Sequence, residues 1–190
     1  MSVIAVTERL LLRTLSEKDK DHILRISMQS PMMASLNNNA IFAETIREVC
    51  WQEETAPNIF PVLLFLKDSD TLVGRVCMQK TNTPIPEIGI DIHADHTNKG
   101  FGPEAIIAFC NWYAEAFRIK KVSVRISCEN SHSIHVFEKI GAVYHKSATY
   151  LPLGTISVMQ QKLPDGDFST LLQESVREYI LELPIKRALL

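Results

Sequence analysis

The chain has 190 residues, 46% of them hydrophobic and 22% charged, which is the size and composition of one globular domain with a proper core. Its 7 glycines and 9 prolines are too few for a collagen-like, linker-like or mostly disordered chain. The 20 Lys and Arg residues nearly balance the 22 Asp and Glu residues, and the formal net charge is −2. Because this charge gives no general attraction to phosphate backbones or anionic lipid, neither a nucleic acid nor a membrane is expected as a partner.

The N-terminal segment is not typical of a signal peptide, because Glu8 and Arg9 interrupt it, and no run approaches the roughly 18 apolar residues that span a bilayer. The four cysteines are scattered without the paired spacing of metal ligands, at Cys50, Cys77, Cys110 and Cys128. We therefore expect reduced, buried thiols in a cytoplasmic protein.

Hydrophobic periodicity predicts alternating strands and helices in the first half of the chain. In chain order these are a strand over 7–14, a helix capped by Ser16, a second helix near 44–54, and a hairpin of strands over 60–67 and 72–79. The residues between Ser16 and Pro61 hold no recognisable binding motif. Met28, Met32, Met33 and Asn37 to Asn39 either line an acceptor pocket or belong to a loosely packed helix and its polar cap.

The clearest strand covers 87–93, where strict alternation places Ile88, Ile90 and Ile92 on one face. Glu87, Asp91 and His93 share the other face. A helix over 103–117, with Pro103 in its first turn, and a strand over 121–128 follow. This order predicts a parallel crossover unit.

After this unit the sequence predicts a short helix over 131–139 closed by Gly141, and strands around 143–150 and 155–162. The tail from Pro164 is predicted to form a helix with an apolar stripe of Leu171, Leu172, Val176, Ile180 and Leu181. We accordingly expect a domain over 1–163 and a helical extension over 164–190. The extension is expected to dock on the same domain or on a second subunit, as in a homodimer.

The loop between the clearest strand and its helix, Asp95 to Glu104, contains Gly100 and Gly102. A strand-to-helix turn of this kind directs backbone N–H groups and the positive end of the helix dipole at one point, which favours a phosphate or pyrophosphate. The alternative is a tight turn where the glycines only permit unusual dihedral angles. Neither a three-glycine dinucleotide turn nor a P-loop ending is present, so a Rossmann oxidoreductase and a P-loop NTPase are disfavoured.

Three motifs occur in order around this loop: Glu8 to Arg13 (ERLLLR), Leu72-Val73-Gly74, and Asn130 to Ala142 (NSHSIHVFEKIGA). With Glu87-Ile88-Gly89 and the glycine loop, the set resembles the GNAT superfamily of acyl-CoA-dependent N-acyltransferases. Within that superfamily it resembles the RimJ/RimL-like branch of ribosomal-protein alanine acetyltransferases. The resemblance covers roughly residues 7–163.

The resemblance implies an α/β fold with a mixed, mostly antiparallel seven-stranded sheet, splayed between its fourth and fifth strands and flanked by helices on both faces. It implies acetyl-CoA as cosubstrate, with the pantetheine arm in the gap and the pyrophosphate on the glycine loop. The positions it assigns to acetyl-CoA binding are Ile90, Asp91, Ile92, Asn98, Lys99, Gly100, Phe101, Gly102, Pro103, Asn130, Ser133 and Phe137.

Acyl transfer to an amine requires a base, an oxyanion donor and a proton source for the leaving thiolate. Glu87 matches a position where the family often has a Glu that acts as base through water, with Asp91 and His93 as weaker candidates; the alternative is a solvated strand face. Phe137 stands where many members have a thiolate-protonating Tyr. The resemblance therefore assigns that role to Ser133, whose alternative is a hydroxyl bonded to local backbone.

Three positions depart from the family pattern near the pyrophosphate. Thr97 stands where Gln or Arg is usual, Asn98 where the branch often has Gly, and Pro103 removes one N–H donor. We therefore expect weaker acetyl-CoA binding than is usual in the family. The pairs His93/His96 and His132/His135 lack further ligands, so no metal is predicted.

The predicted function is acetyl-CoA-dependent transfer of an acetyl group to a primary amine, either a protein N-terminus or a small molecule. The amine attacks directly in a ternary complex, without a covalent enzyme intermediate. The alternative is a catalytically impaired acyl-CoA-binding sensor or assembly module, and a third option is a structural interaction protein.

Overall fold

The computed structural model describes residues 1–29, 40–149, 157, 160–162, 169 and 172–186, and for 40–44 it describes the backbone alone. The strands within these ranges are β1 (Val3–Val6), β2 (Leu10–Thr14), β3 (Ile59–Leu66), β4 (Leu72–Gln79), β5 (Glu87–Ile92), β6 (Lys121–Ser127), β7 (Val143–Ala148) and β8 (Val176–Glu182). The α-helices are α1 (Lys20–Ser27), α2 (Ala40–Glu54), α3 (Phe101–Phe117) and α4 (Ser131–Lys139). Short 3-10 turns cover Glu17–Asp19 and Ala94–His96.

The eight strands form one sheet in the order β1-β2-β3-β4-β5-β6-β8-β7. Neighbouring strands are antiparallel except β5 and β6, which run parallel and pair only where Glu87 meets Ser123. Beyond that pair the two strands separate. The predicted mixed sheet and its splay are therefore confirmed, with eight strands in place of the predicted seven.

The predicted C-terminal helix is wrong, because Val176–Glu182 forms strand β8 between β6 and β7. Val176, Tyr179 and Leu181 are buried in it. The apolar positions also fit a helical stripe. The segment forms a strand because it pairs with the edges of β6 and β7 and because its side chains favour β-structure. Leu171 lies outside the described residues, and Leu172 is in an exposed turn.

The predicted strand over 155–162 is not supported by its described residues, because Ser157 and 160–162 are helical. The place in the sheet between β6 and β7 belongs to β8, which pairs along its length with both strands. The last part of the chain is therefore tied into the same sheet as β1 to β7.

Helices cover both faces of the sheet, as predicted, and the side chains of β3 contact the helices on each face. Its side chains alternate between two apolar clusters: Val62 and Leu64 pack in the cluster around α3, whereas Leu63 and Phe65 pack in the cluster with α1 and α2. Such a strand, buried on both faces, has a continuous apolar sequence rather than an alternating one. No helix in the described part of the chain is both long and apolar enough to cross a membrane.

The cysteines divide into two groups. Cys50, Cys77 and Cys110 are buried, as predicted, and burial raises the pKa of the Cys77 and Cys110 thiols. Cys128 is exposed, contrary to the prediction, because it follows the last residue of β6, where the chain leaves the sheet.

We expect a thiol reagent such as DTNB to modify one cysteine quickly in the native protein and all four after unfolding. The reason is that reaction requires an accessible thiolate, which Cys128 alone provides. Absorbance of the released thionitrobenzoate gives the count. A Cys128→Ser variant should lose the fast phase, and any fast-reacting thiol that remains in that variant would contradict the burial pattern.

Candidate active site

A cleft of about 750 Å³ opens where β5 and β6 separate, between the first turns of α3 and α4. Its wall is built from the end of β5, the glycine loop and these two helix starts. The lining residues are Ile90, Ile92, His96, Thr97, Asn98, Gly100, Phe101, Gly102, Pro103, Ile106, Asn130, His132, Ser133, Val136 and Phe137.

Most positions expected to bind the cosubstrate line this cleft, namely Ile90, Ile92, Asn98, Gly100, Phe101, Gly102, Pro103, Asn130, Ser133 and Phe137. Asp91 and Lys99 are not among the lining residues. The sequence analysis missed His96, Ile106, His132 and Val136 as lining residues, and it named Thr97 only as a departure from the family pattern. Helical spacing could have indicated two of these, because Ile106 and Val136 lie three positions after a predicted site residue on the same helix.

The glycine loop combines a left-handed turn with a helix start. Gly100, the N-terminal cap of α3, has φ +79°, and Asn98 has φ +59°. Gly102 is helical, and a Cβ there would lie 3.8 Å from Ile92 Cγ1, an ordinary contact. The unusual dihedral angle is therefore required at Gly100 and not at Gly102. The first-turn amides of α3 have no intrahelical acceptor, and Phe101 and Gly102, which carry two of them, line the cleft.

Arg9, from the ERLLLR motif, contacts both the glycine loop and the first turn of α3. Its Nη1 donates to the Lys99 carbonyl oxygen at 2.8 Å, its Nε donates to Glu104 Oε2 at 2.7 Å, and its guanidinium lies 4.7 Å from the Phe101 ring centroid. Thr7 Oγ1 also donates to Glu104 Oε1, at 2.5 Å. The Glu104 charge, in the first turn of α3, is thereby paired rather than free to repel an anion at the helix start.

Two ionisable groups at this end of the cleft have shifted pKa values. Burial would raise the pKa of Glu104, but the hydrogen bonds from Thr7 and Arg9 outweigh it and the pKa is lowered. Partial burial lowers the pKa of His96, and the positive charge of Lys99 adds to this effect. His96, which lines the cleft, is therefore mainly a neutral imidazole at pH 7.

The start of α4 forms the opposite wall. Asn130 caps this helix, its Oδ1 accepting the Ser133 N–H at 3.0 Å. Asn130, which the family resemblance assigns to acetyl-CoA binding, is thus also the helix cap, and it lines the cleft. Ser133 is half-buried one turn before the buried Phe137, so a hydroxyl and an aromatic ring face the cleft from one helix.

Glu87, the predicted base, is not brought to the cleft. It is the first residue of β5, at the point where the strand still pairs with β6, and its Oε2 accepts from Lys80 Nζ at 2.5 Å. At the strand rise, Glu87 is about 10 Å from Ile90, where the cleft begins.

Asp91 and His93 also lie apart from the cleft wall. Asp91 extends from the face of β5 opposite to Ile90 and Ile92, as the alternation predicts, and its Oδ2 accepts from Arg75 Nε at 2.9 Å. β5 ends at Ile92, so His93 lies beyond the strand and caps the following 3-10 turn. Among the residues that the structure describes, no group of three or more His, Cys, Asp or Glu side chains could hold a metal ion.

Comparison with known proteins identifies one family and several solved structures with the same fold as this chain. The family model described as an acetyltransferase (GNAT) domain matches residues 9–143. The uncharacterized N-acetyltransferase YnaD of Bacillus subtilis (strain 168) is 27% identical over 138 residues, which are 71% of this chain and 79% of that protein.

Three solved structures are similar in fold, each under 25% identical to the chain. Spermidine N-acetyltransferase from Vibrio cholerae, in complex with CoA and spermine, has a TM-score of 0.68 and 15% identity, covering 94% of this chain and 98% of that one. A protein assigned as a ribosomal-protein-serine acetyltransferase from the same organism has a TM-score of 0.64 and 18% identity, covering 93% and 95%. An acetyltransferase (GNAT family) from Bacillus anthracis has a TM-score of 0.63 and 22% identity, covering 92% and 94%. Since the family model spans well over half of the chain, including β5, the glycine loop and α4, the protein belongs to the GNAT acetyltransferase family and is an acetyl-CoA-dependent acyltransferase.

Proposed function

We propose that this enzyme transfers the acetyl group of acetyl-CoA to a primary amine, which attacks the thioester carbonyl directly in a ternary complex. The observation that carries the proposal is the cleft where β5 and β6 separate, because two helix starts open into it beside apolar β5 side chains. The first-turn amides of α3 would bind the diphosphate, since unpaired N–H groups and the helix dipole both favour an anion there.

The rest of the cleft suits the acyl end of the cosubstrate. Ile90, Ile92, Val136 and Phe137 give it an apolar wall, against which a pantetheine chain can be buried. Direct attack needs only a neutral amine near the carbonyl carbon and groups that move two protons, one from the amine and one to the thiolate. No enzyme nucleophile is required for this sequence of steps.

Thiol release from acetyl-CoA tests the proposal, measured with a panel of small amines and peptides with free N-termini. Calorimetry on the same samples gives the dissociation constant of acetyl-CoA. We expect acetyl-CoA to bind and at least one amine to accelerate thiol release. No detectable binding at millimolar acetyl-CoA would contradict the proposal. Tight binding of acetyl-CoA without turnover of any amine would favour the sensor or assembly module.

We further propose the RimJ/RimL-like branch, a cytoplasmic location and a homodimer. The branch rests on the ERLLLR strand, the Leu72-Val73-Gly74 strand and the Asn-x-x-Ser motif at Asn130. The similar structures include acetyltransferases of a ribosomal protein and of spermidine, so the amine panel must contain both N-terminal peptides and polyamines. Light scattering after size-exclusion chromatography tests the homodimer.

Ser133→Ala should lower kcat by about tenfold to a hundredfold with little change in the dissociation constant of acetyl-CoA. The reason is that its hydroxyl is proposed to protonate the leaving thiolate, whereas the capping bond to Asn130 uses the Ser133 backbone N–H and survives the substitution. Steady-state kinetics and calorimetry separate the two quantities. An unchanged kcat would leave Ser133 with a local structural role.

Glu87→Gln tests the base inferred from the family resemblance. If Glu87 accepts the amine proton through water, the acid limb of the pH–rate profile should shift and kcat should fall by about a hundredfold or more. The control is Lys80→Met, which removes the ion pair but leaves the carboxylate in place. A rate that is unchanged in Glu87→Gln removes Glu87 from the role.

A further inference from the structure

A second pocket, of about 410 Å³, lies against the same strand as the cleft. Its lining residues are Ile26, Ser27, Gln29, Arg75, Ile90, Asp91 and Ile92. Ile90 and Ile92 also line the cleft, and the Asp91 side chain between them extends from the other face of β5. The cleft and the second pocket therefore approach β5 from opposite faces of the sheet.

The wall of this pocket is fixed by contacts from three elements. Gln29, just after α1, accepts the Ala94 N–H at 2.7 Å through its side-chain oxygen and so ties α1 to the end of β5. On β4, Gly74 faces Ile92 in the antiparallel register, and a Cβ on Gly74 would overlap the Asp91 carbonyl oxygen. The close approach of β4 and β5 thus places Arg75 directly beside Asp91.

The two carboxylates that bind Arg75, beside this pocket, outnumber its single positive charge. Arg75 is bound by two carboxylates, with Nε donating to Asp91 Oδ2 at 2.9 Å and Nη1 to Glu54 Oε1. Glu54 is buried, and its other oxygen, Oε2, has no hydrogen-bond partner among the described residues. Two carboxylates therefore share one guanidinium, which leaves an excess of one negative charge. Asp91, half-exposed at its side chain, presents that charge to the pocket.

This arrangement discriminates between classes of amine. Arg75 is already paired with two carboxylates, so its positive charge is offset and gives little net attraction for a carboxylate on a substrate. A substrate carboxylate placed here would meet the uncompensated charge of Asp91, whereas a second ammonium group would be attracted.

We propose that the second pocket receives the acceptor, and that it selects alkyl amines bearing a further positive charge over amines bearing a carboxylate. Asp91 is the specificity-determining residue. The inference rests on the proposed acetyltransferase function and adds the substrate class. It also moves Asp91 from acetyl-CoA binding, where the family resemblance placed it, to acceptor recognition.

The test uses three amines of equal chain length: 1,4-diaminobutane, butylamine and 4-aminobutyrate. Their far ends are positive, neutral and negative, and kcat/KM is measured for each by thiol release at saturating acetyl-CoA. We expect the wild-type protein to prefer 1,4-diaminobutane over 4-aminobutyrate by about a hundredfold or more, with butylamine between them. In Asp91→Asn the preference should fall to within about threefold, while the dissociation constant of acetyl-CoA stays unchanged.

Asp68→Asn is the matched control, because it removes one exposed carboxylate in the β3–β4 turn, outside both pockets. It should keep the wild-type preference. The inference is overturned if 4-aminobutyrate is preferred, or if Asp91→Asn slows all three amines equally and leaves the preference intact. It is also overturned if acetyl-CoA binds but none of the three amines is acetylated. Failure of acetyl-CoA to bind at all would be recognised separately, as failure of the proposed function.

Discussion

Replacing Gly100 with alanine is expected to weaken acetyl-CoA binding by at least about tenfold. With φ at +79°, Gly100 occupies the left-handed region, which costs a residue with a Cβ about 1–2 kcal/mol. A Cβ there would also lie 3.3 Å from Arg9 Nη2, tighter than an ordinary contact. The loop would have to shift Arg9 from the Lys99 carbonyl or rotate the amides of Phe101 and Gly102, and either change removes the anion site. Restoring the native loop on binding would cost this strain, of which about 1.4 kcal/mol corresponds to tenfold in affinity, and the close contact with Arg9 adds to the cost.

Gly141→Ala is the matched control, because Gly141 also has a positive φ, +106°, but is not among the residues lining the cleft. Both variants should lose stability, and only Gly100→Ala should lose acetyl-CoA affinity. Calorimetry gives the dissociation constants and urea denaturation gives the free energies of unfolding. Equal dissociation constants for acetyl-CoA in the two variants would show that the glycine loop does not contribute to cosubstrate binding.

The parts of the site that the sequence predicted are those fixed by local chemistry. Gly100 and Pro103 define a turn and a helix start within four residues, and the helix predicted over 131–139 is observed as α4. The alternation along β5 likewise placed Asp91 opposite Ile90 and Ile92. Each of these features depends on backbone geometry that neighbouring residues determine.

The parts that could not be predicted depend on pairing between distant segments. β8 has apolar spacing compatible with a helix, but it pairs as a strand with both β6 and β7. The charge arrangement beside the second pocket joins Glu54, Arg75 and Asp91 from three elements, and no spacing in the sequence brings them together. Arg9 likewise belongs to a recognisable motif, but its bond to Lys99, 90 positions away, appears only in the folded chain.

The ion pair with the largest expected contribution to stability joins Arg13 and Asp19. Asp19 is 2% exposed, and its carboxylate accepts from Arg13 Nη1 and Nη2 at 2.9 and 2.8 Å and from the Ser16 N–H at 2.7 Å. The Arg13 guanidinium also lies over the Phe65 ring, in the cluster with α1 and α2. Removing the carboxylate therefore leaves a largely buried positive charge without its partner.

Asp19→Ala should lower the free energy of unfolding by about 3–5 kcal/mol at pH 7, a large part of the total for a domain of this size. Glu182→Ala is the comparison, because its ion pair with Lys121, 2.7 Å long, is exposed on both sides and should contribute at most about 1 kcal/mol. The double variant Arg13→Met, Asp19→Ala should be more stable than Asp19→Ala alone, since it removes the unpaired charge. Urea denaturation measures all three, and equal losses in Asp19→Ala and Glu182→Ala would contradict the expectation.

The Arg13–Asp19 ion pair also makes the free energy of unfolding depend on pH. Burial alone would raise the pKa of Asp19, but the hydrogen bonds from Arg13 and Ser16 and the charge of Arg13 lower it from 3.8 to about 2. Because the folded state holds this proton more weakly than the unfolded state, the stabilisation is fully present above pH 3.8 and is lost as the pH falls toward 2. The wild-type protein should therefore lose more stability than Asp19→Ala between pH 5 and pH 2, and the difference in the free energy of unfolding between the two should narrow toward the acid end. Parallel curves over that range would mean that the Asp19 carboxylate titrates alike in the folded and unfolded chains.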